Sequence, residues 1–252
     1  MIRRAAKLSL LGAACLLAGA CSSVVNEDPL AGNIGNYESL MAAVISPARP
    51  AEDVARDEAR KPLETIAFAG ITRGMTIAEL VPGDGYYTRI LSQAVGPEGR
   101  VYAMVPARYA NRPGGLDAIN AIAEQYGNID VMVVDDFAAM TAPAPVDMVW
   151  TSENYHDLAG GDIAGVNRAV RAMLKPGGVY YVEDHAAPGA GEAALALHRI
   201  DPEMVRRQVT QAGFTLADSS DHLANPADPH DQSPFDYQGV TEKLAFRFVR
   251  GD

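Results

Sequence analysis

From Met75 to Arg250, short apolar runs alternate with stretches of helical spacing, and this rhythm constrains the fold more than any other feature of the chain. Met75–Val81 (MTIAELV), Arg100–Val105, Asp130–Val134, Val146–Thr151 and Val179–Glu183 read as β-strands. The spacing predicts helices over Tyr86–Val95, Leu116–Tyr126, Ile163–Leu174 and Pro202–Ala212. Short apolar strands separated by helices imply parallel strands joined by right-handed crossovers, in a sheet covered on both faces. Phe214–Ser219 and Leu244–Arg250 have only a polar loop between them, which predicts an antiparallel hairpin at the sheet's edge. The expected fold is α/β: a doubly wound, seven-stranded, mostly parallel sheet with a terminal antiparallel hairpin and helices on both faces.

Ahead of this body lies a different kind of segment. Arg3, Arg4 and Lys7 precede an apolar run over Leu8–Ala20, and the small residues Ala18-Gly19-Ala20 lead into Cys21. This is the layout of a secretory signal, and the apolar run is shorter than the roughly 20 residues of a membrane-spanning helix. A cysteine directly after the small residues resembles a bacterial lipoprotein signal, which implies lipidation at Cys21, export, and membrane attachment through the lipid. The predicted organisation is a signal over 1–20, a linker over 21–49 and one domain over 50–252. Both cysteines, Cys15 and Cys21, fall in this leader, so the body has no disulfide framework and no Cys-based zinc site. With 21 Lys and Arg against 32 Asp and Glu, the formal charge is −11, and the chain lacks the basic face of a nucleic-acid binder.

In a doubly wound sheet, ligands bind beyond the carboxyl ends of the strands where the strand order reverses. The loop after the first strand, Glu79-Leu80-Val81-Pro82-Gly83-Asp84-Gly85-Tyr86-Tyr87, is the first place to look. Gly83 and Gly85 permit a sharp turn and close approach to a ligand, and a helix N-terminus follows. Asp135-Asp136-Phe137 follows the third strand, Ser152-Glu153-Asn154-Tyr155-His156-Asp157 the fourth, and Leu174-Lys175-Pro176-Gly177-Gly178 precedes the fifth. This series resembles the class I S-adenosylmethionine-dependent methyltransferases, whose fold is Rossmann-like. More narrowly, it looks like a poorly characterised bacterial branch of predicted methyltransferases.

The resemblance implies S-adenosylmethionine as cofactor, with Glu79, Gly83, Asp84, Gly85, Tyr87, Asp136, Phe137 and Ser152 binding it. It places Glu79 at the methionine portion or in ordering the loop, Asp136 on the adenine amino group and Phe137 beside the ring. Ser152, Glu153 and Asn154 would face the methyl group. Val81 stands where the family usually has glycine, and Val105 where an acid usually grips the ribose.

His156 is the candidate base for an acceptor proton, since its ordinary pKa suits the task, with Asp157 or Glu153 to orient it and Asn154 beside it. Glu183-Asp184-His185 should approach His156 and Asp157 at the same sheet edge; such a set can hold a divalent ion, but the spacing is not diagnostic and no metal is assigned. The expected activity is methyl transfer to a small-molecule or lipid-borne acceptor. The alternative is a non-catalytic envelope module that keeps the fold. His198 reads as structural or exposed, and the polar loop over 218–237 as a lid or a mobile segment.

Overall fold

The computed structural model describes residues 29–251, with side chains from residue 35. The signal segment and Cys21 lie outside the described residues. Seven strands form one sheet: β1 (Thr76–Leu80), β2 (Arg100–Pro106), β3 (Ile129–Val134), β4 (Val146–Ser152), β5 (Leu174–His185), β6 (Phe214–Ser220) and β7 (Lys243–Arg250). Their order is β3-β2-β1-β4-β5-β7-β6. Strands β1 to β5 pair in parallel, and β7 runs antiparallel between β5 and β6. The sheet and hairpin are those expected from the alternation of runs.

Ten helices accompany the sheet among the described residues: α1 (Pro29–Val44), α2 (Ala51–Val54), α3 (Asp57–Arg60), α4 (Pro62–Ala69), α5 (Tyr86–Val95), α6 (Ala107–Ala110), α7 (Asp117–Tyr126), α8 (Tyr155–Ala159), α9 (Ile163–Met173) and α10 (Pro202–Gln211). No helix among them is long and apolar enough to cross a membrane. Helix α1 occupies part of the stretch read as linker. Its Leu40 and Ala43 are buried in the core beside Ile66 and Leu91, so this segment is docked on the body.

Strand periodicity assigns each side chain to one of two cores. Ala78, Leu80 and Met104 join the layer of α9 and α10, whereas Ile77, Val101, Ala103 and Val105 join the layer of α1, α5 and α7. Trp150 lies opposite Glu79 on one side and Tyr181 on the other. It stacks on Tyr181 with 4.2 Å between ring centroids and meets Tyr87 at 4.9 Å. These large aromatics fill the centre of the sheet face under α5, which is why they are core.

The polar loop between β6 and β7 is packed down on the body. Arg199 and Asp228, both buried, form a two-pronged ion pair at 2.8 and 3.0 Å, and Arg199 also donates to the Ala186 and Gln232 carbonyls. Leu223 is buried in the core, and the His222 ring bonds Thr65 Oγ1 of α4 at 3.0 Å.

Candidate active site at the carboxyl ends of the sheet

The strand order reverses between β1 and β4, so the loops leaving these two strands flank the crevice. After Leu80 the chain turns through Val81 (φ 54°), Gly83 (φ 56°) and Gly85 (φ 81°). The Gly85 N–H donates to the Pro82 carbonyl at 3.0 Å and closes the turn, and Gly85 caps α5. A Cβ on Gly85 would sit 2.3 Å from Ile122 Cδ1 of α7, whereas one on Gly83 would meet nothing within 4 Å. Gly85 is thus required by conformation and packing together, and Gly83 faces open space. Val81 is the outlier: a β-branched residue in the left-handed region carries strain of about 1–3 kcal/mol. The Asn154 amide donates to its carbonyl at 3.1 Å and to that of Ser152 at 2.5 Å, tying the β1 loop to the β4 loop.

Above this turn is a hollow of about 290 Å³, lined by Gly83, Asp84, Val105, Tyr109 and Arg112 among others. That volume is close to the lower end of small-molecule pockets, roughly 300 Å³. Val105 and Tyr109 give it an apolar wall, and Asp84 and Arg112 supply its charged groups. A larger cavity of about 490 Å³ lies between the start of α10, β6 and β7 and contains none of the glycine turn.

Several residues expected in the hollow lie elsewhere. Glu79 follows strand periodicity onto the α5 side, where it is 2% exposed and accepts a hydrogen bond from Thr88 Oγ1 at 2.6 Å. Burial pushes its pKa from 4.5 up to about 8, only partly offset by Thr88. It orders the loop and α5 from below rather than lining the hollow. Asp136 is exposed and turns its carboxylate back onto the Ala138 N–H at 2.8 Å, capping the turn at Phe137–Ala139. Phe137 is buried in the α9 and α10 layer. Tyr87 is buried against Trp150, with its hydroxyl 3.4 Å from Glu183 Oε2. In this structure Glu79 and Asp136 do not face one another across the hollow. Of the expected cofactor residues, Gly83 and Asp84 line it, while Gly85 shapes its edge.

The β4 and β5 side carries a dense set of ionisable groups. Ser152 pairs with Glu183 in register and donates to Glu183 Oε1 at 3.2 Å, and the Tyr181 hydroxyl donates to Oε2 at 3.1 Å. Glu153, another left-handed residue (φ 57°), is bridged by Arg60 of α3 and by Lys243 Nζ, the latter at 3.2 Å. Burial opposes its charge, but Lys243 and Arg60 outweigh burial and hold its pKa below the ordinary range. Burial together with the Glu153 charge raises the pKa of fully buried Glu183, with Lys243 and Arg60 opposing. Arg60 and Lys243 come from opposite ends of the chain, and no local motif signals them.

His156 lies on α8, immediately beyond β4, and is 6% exposed. Asp184, fully buried at the end of β5, accepts from the His156 backbone N–H at 2.7 Å and from its ring Nδ1 at 2.8 Å. This fixes the ring orientation and, in the neutral ring, puts the proton on Nδ1 and the lone pair on Nε2. Burial disfavours the charged ring, but Asp184 and then Asp157 more than compensate, so the His156 pKa lies above 6.5. Nε2 points toward Asp157 Oδ1 at 3.5 Å. The expected pair therefore does meet, but the residue that orients His156 is Asp184 rather than Asp157. His185 differs: burial drops its pKa to about 4, and its Nδ1 bonds Thr241 Oγ1 at 2.8 Å.

The fold has counterparts in known proteins. No family model matches the chain. A protein-L-isoaspartate O-methyltransferase from Ignicoccus hospitalis is 27% identical over 126 residues, covering 49% of this chain and 54% of that protein. The chain thus spans about half the length of the curated relative it matches. Among solved structures, an S-adenosylmethionine-dependent methyltransferase of Aquifex aeolicus superposes with TM-score 0.57 at 16% identity, covering 77% of this chain and 92% of the other. Another S-adenosylmethionine-dependent methyltransferase, from Mesorhizobium loti, gives 0.56 at 16% identity, covering 76% and 98%. The chain shares their fold.

Proposed function

We propose that this protein is an S-adenosylmethionine-dependent methyltransferase. The observation that carries the reading is the 290 Å³ hollow over the Gly83–Gly85 turn, at the switch point of a sheet of methyltransferase topology. The donor's nucleoside occupies this hollow, with Asp84 and Arg112 available to its hydroxyl and amino groups. The sulfonium lies toward β4, and the acceptor approaches from the side of His156 and Glu153. Methyl transfer is an in-line displacement, so the chief task of the protein is to align donor and acceptor and exclude water. Arg60 and Lys243 cover the β4 loop by pairing with Glu153, which keeps this side ordered.

The acceptor is a small molecule or a lipid-borne group. Lipidation at Cys21 would hold the domain against a membrane on the exported side and present the crevice to such acceptors. The acidic body gives no purchase on a polyanion. Calorimetric titration of the full chain with S-adenosylmethionine and S-adenosylhomocysteine tests the reading. Saturable binding of both, lost in Gly85→Asp, supports it. Absence of binding at millimolar ligand, with the chain folded by circular dichroism, overturns it.

A further inference from the structure

The tip of the β4 loop carries a second constellation. His198 ends the 3₁₀ segment Gly191–Leu197 in a left-handed conformation (φ 52°), which reverses the chain and brings its ring to α8. His198 Nδ1 lies 3.7 Å from Asp157 Oδ1, the same oxygen that lies 3.5 Å from His156 Nε2. The two rings meet edge to face at 5.4 Å, and Phe235 packs against the outer side of His198 at 5.1 Å. One ligand atom from each of these three residues falls within 4.8 Å of the other two.

Three electron-pair donors converging on one point favour a cation between them. We propose that His156, Asp157 and His198 bind a single divalent transition-metal ion at the acceptor side of the crevice. Bonds of about 2.1 Å place ligand atoms roughly 3.0–3.4 Å apart in octahedral or tetrahedral geometry, so the two separations to Asp157 Oδ1, 3.5 and 3.7 Å, need to close by only a few tenths of an ångström, while the two imidazole nitrogens, within 4.8 Å of one another, draw together by movement of His198. Asp157 and His198 are both partly exposed and free to make that adjustment, while His156 is fixed.

A second and independent observation points the same way. The Nδ1 of His156 is bonded to fully buried Asp184, giving the carboxylate–histidine arrangement that orients a metal-binding imidazole through its other nitrogen. Two imidazoles with one carboxylate favour zinc, manganese, iron or cobalt over magnesium or calcium, which prefer oxygen donors. Three protein ligands on an exposed rim leave at least one coordination position open. An acceptor hydroxyl entering that position would lose its proton more readily. The ion site itself does not depend on the methyltransferase reading, because binding requires no donor.

The test uses tag-free full chain stripped with chelator and dialysed against Zn²⁺, with bound metal counted by mass spectrometry. One ion per chain is expected. Affinity should fall at least about tenfold in Asp157→Asn and in His198→Asn, and about 10- to 100-fold in Asp184→Asn. Asparagine at 198 tolerates the left-handed backbone, so that variant keeps its fold. His230→Ala removes another histidine beside a carboxylate, Glu242, and should leave binding unchanged. The Co²⁺-loaded wild type should show the visible bands of nitrogen ligation. A spectrum identical to aqueous Co²⁺, no retained Zn²⁺, or equal retention in the His198 and Asp157 variants overturns the proposal. Donor binding, measured separately, reports on the other reading.

Discussion

Replacing Glu79 with glutamine probes the link between the first strand, the glycine turn and stability. Glu79 is almost fully buried, with the Thr88 hydroxyl as its one side-chain hydrogen bond among the described residues, and its pKa rises from 4.5 to about 8. A carboxyl whose folded pKa exceeds its unfolded one stabilises the native state by holding a proton. That contribution is fully present below about pH 4.5 and is lost as pH rises through 8. A shift of about 3.5 units at 1.36 kcal/mol each sets a ceiling near 5 kcal/mol. Between pH 5 and pH 8 about three-quarters of it is lost, and relaxation of the site and entry of water reduce it further, so about 1–3 kcal/mol is expected. Glu79→Gln keeps the shape and an acceptor for Thr88 but does not titrate. Urea unfolding of both proteins from pH 5 to pH 8 should therefore show the variant gaining on the wild type by that amount. Parallel stability curves would mean that Glu79 is ionised in the folded protein and faces water or a cation, and its burial beneath α5 would be refuted.

Three further substitutions have defined outcomes. Gly85→Ala forces a side chain into the left-handed region and against Ile122, so urea unfolding should show a loss of about 1–2 kcal/mol and calorimetry a weaker donor affinity. Asp228→Ala leaves the Arg199 guanidinium buried without its partner and should cost about 3–5 kcal/mol, read as a lowered Tm and as earlier proteolysis of the loop between β6 and β7. His156→Ala should spare donor binding and stop turnover in a radiolabelled methyl-transfer assay once an acceptor is known. Normal turnover in that variant would remove His156 from the chemistry.

The strands were legible because each is a short apolar run bounded by glycine, proline or polar residues, and the hairpin because no helix separates Phe214 from Leu244. Helix α1 was hidden by its Gly and Asn content; only its contacts with the core, through Leu40 and Ala43, reveal why it is ordered. The glycine turn was readable for the same reason it exists: Gly85 has no alternative at φ 81° beside Ile122. Strand periodicity could have placed Glu79 under α5, since it shares a face with Ile77 rather than with Ala78 and Leu80. The meeting of His156 with Asp184 was legible, because both stand just past neighbouring strands. Arg60, Lys243 and His198 were not, because long-range folding alone brings them to the β4 loop. Val81 and Glu153 hold strained backbones on either side of the crevice, and neighbouring contacts over-determine both.

A crystal of the protein soaked with S-adenosylhomocysteine tests the donor site most directly. Density for the nucleoside in the hollow above Gly83, between Asp84 and Arg112, with the homocysteine sulfur directed toward the loop that follows β4, is the predicted result. Density in the larger cavity beside β6 and β7, with the glycine turn left bare, would contradict it.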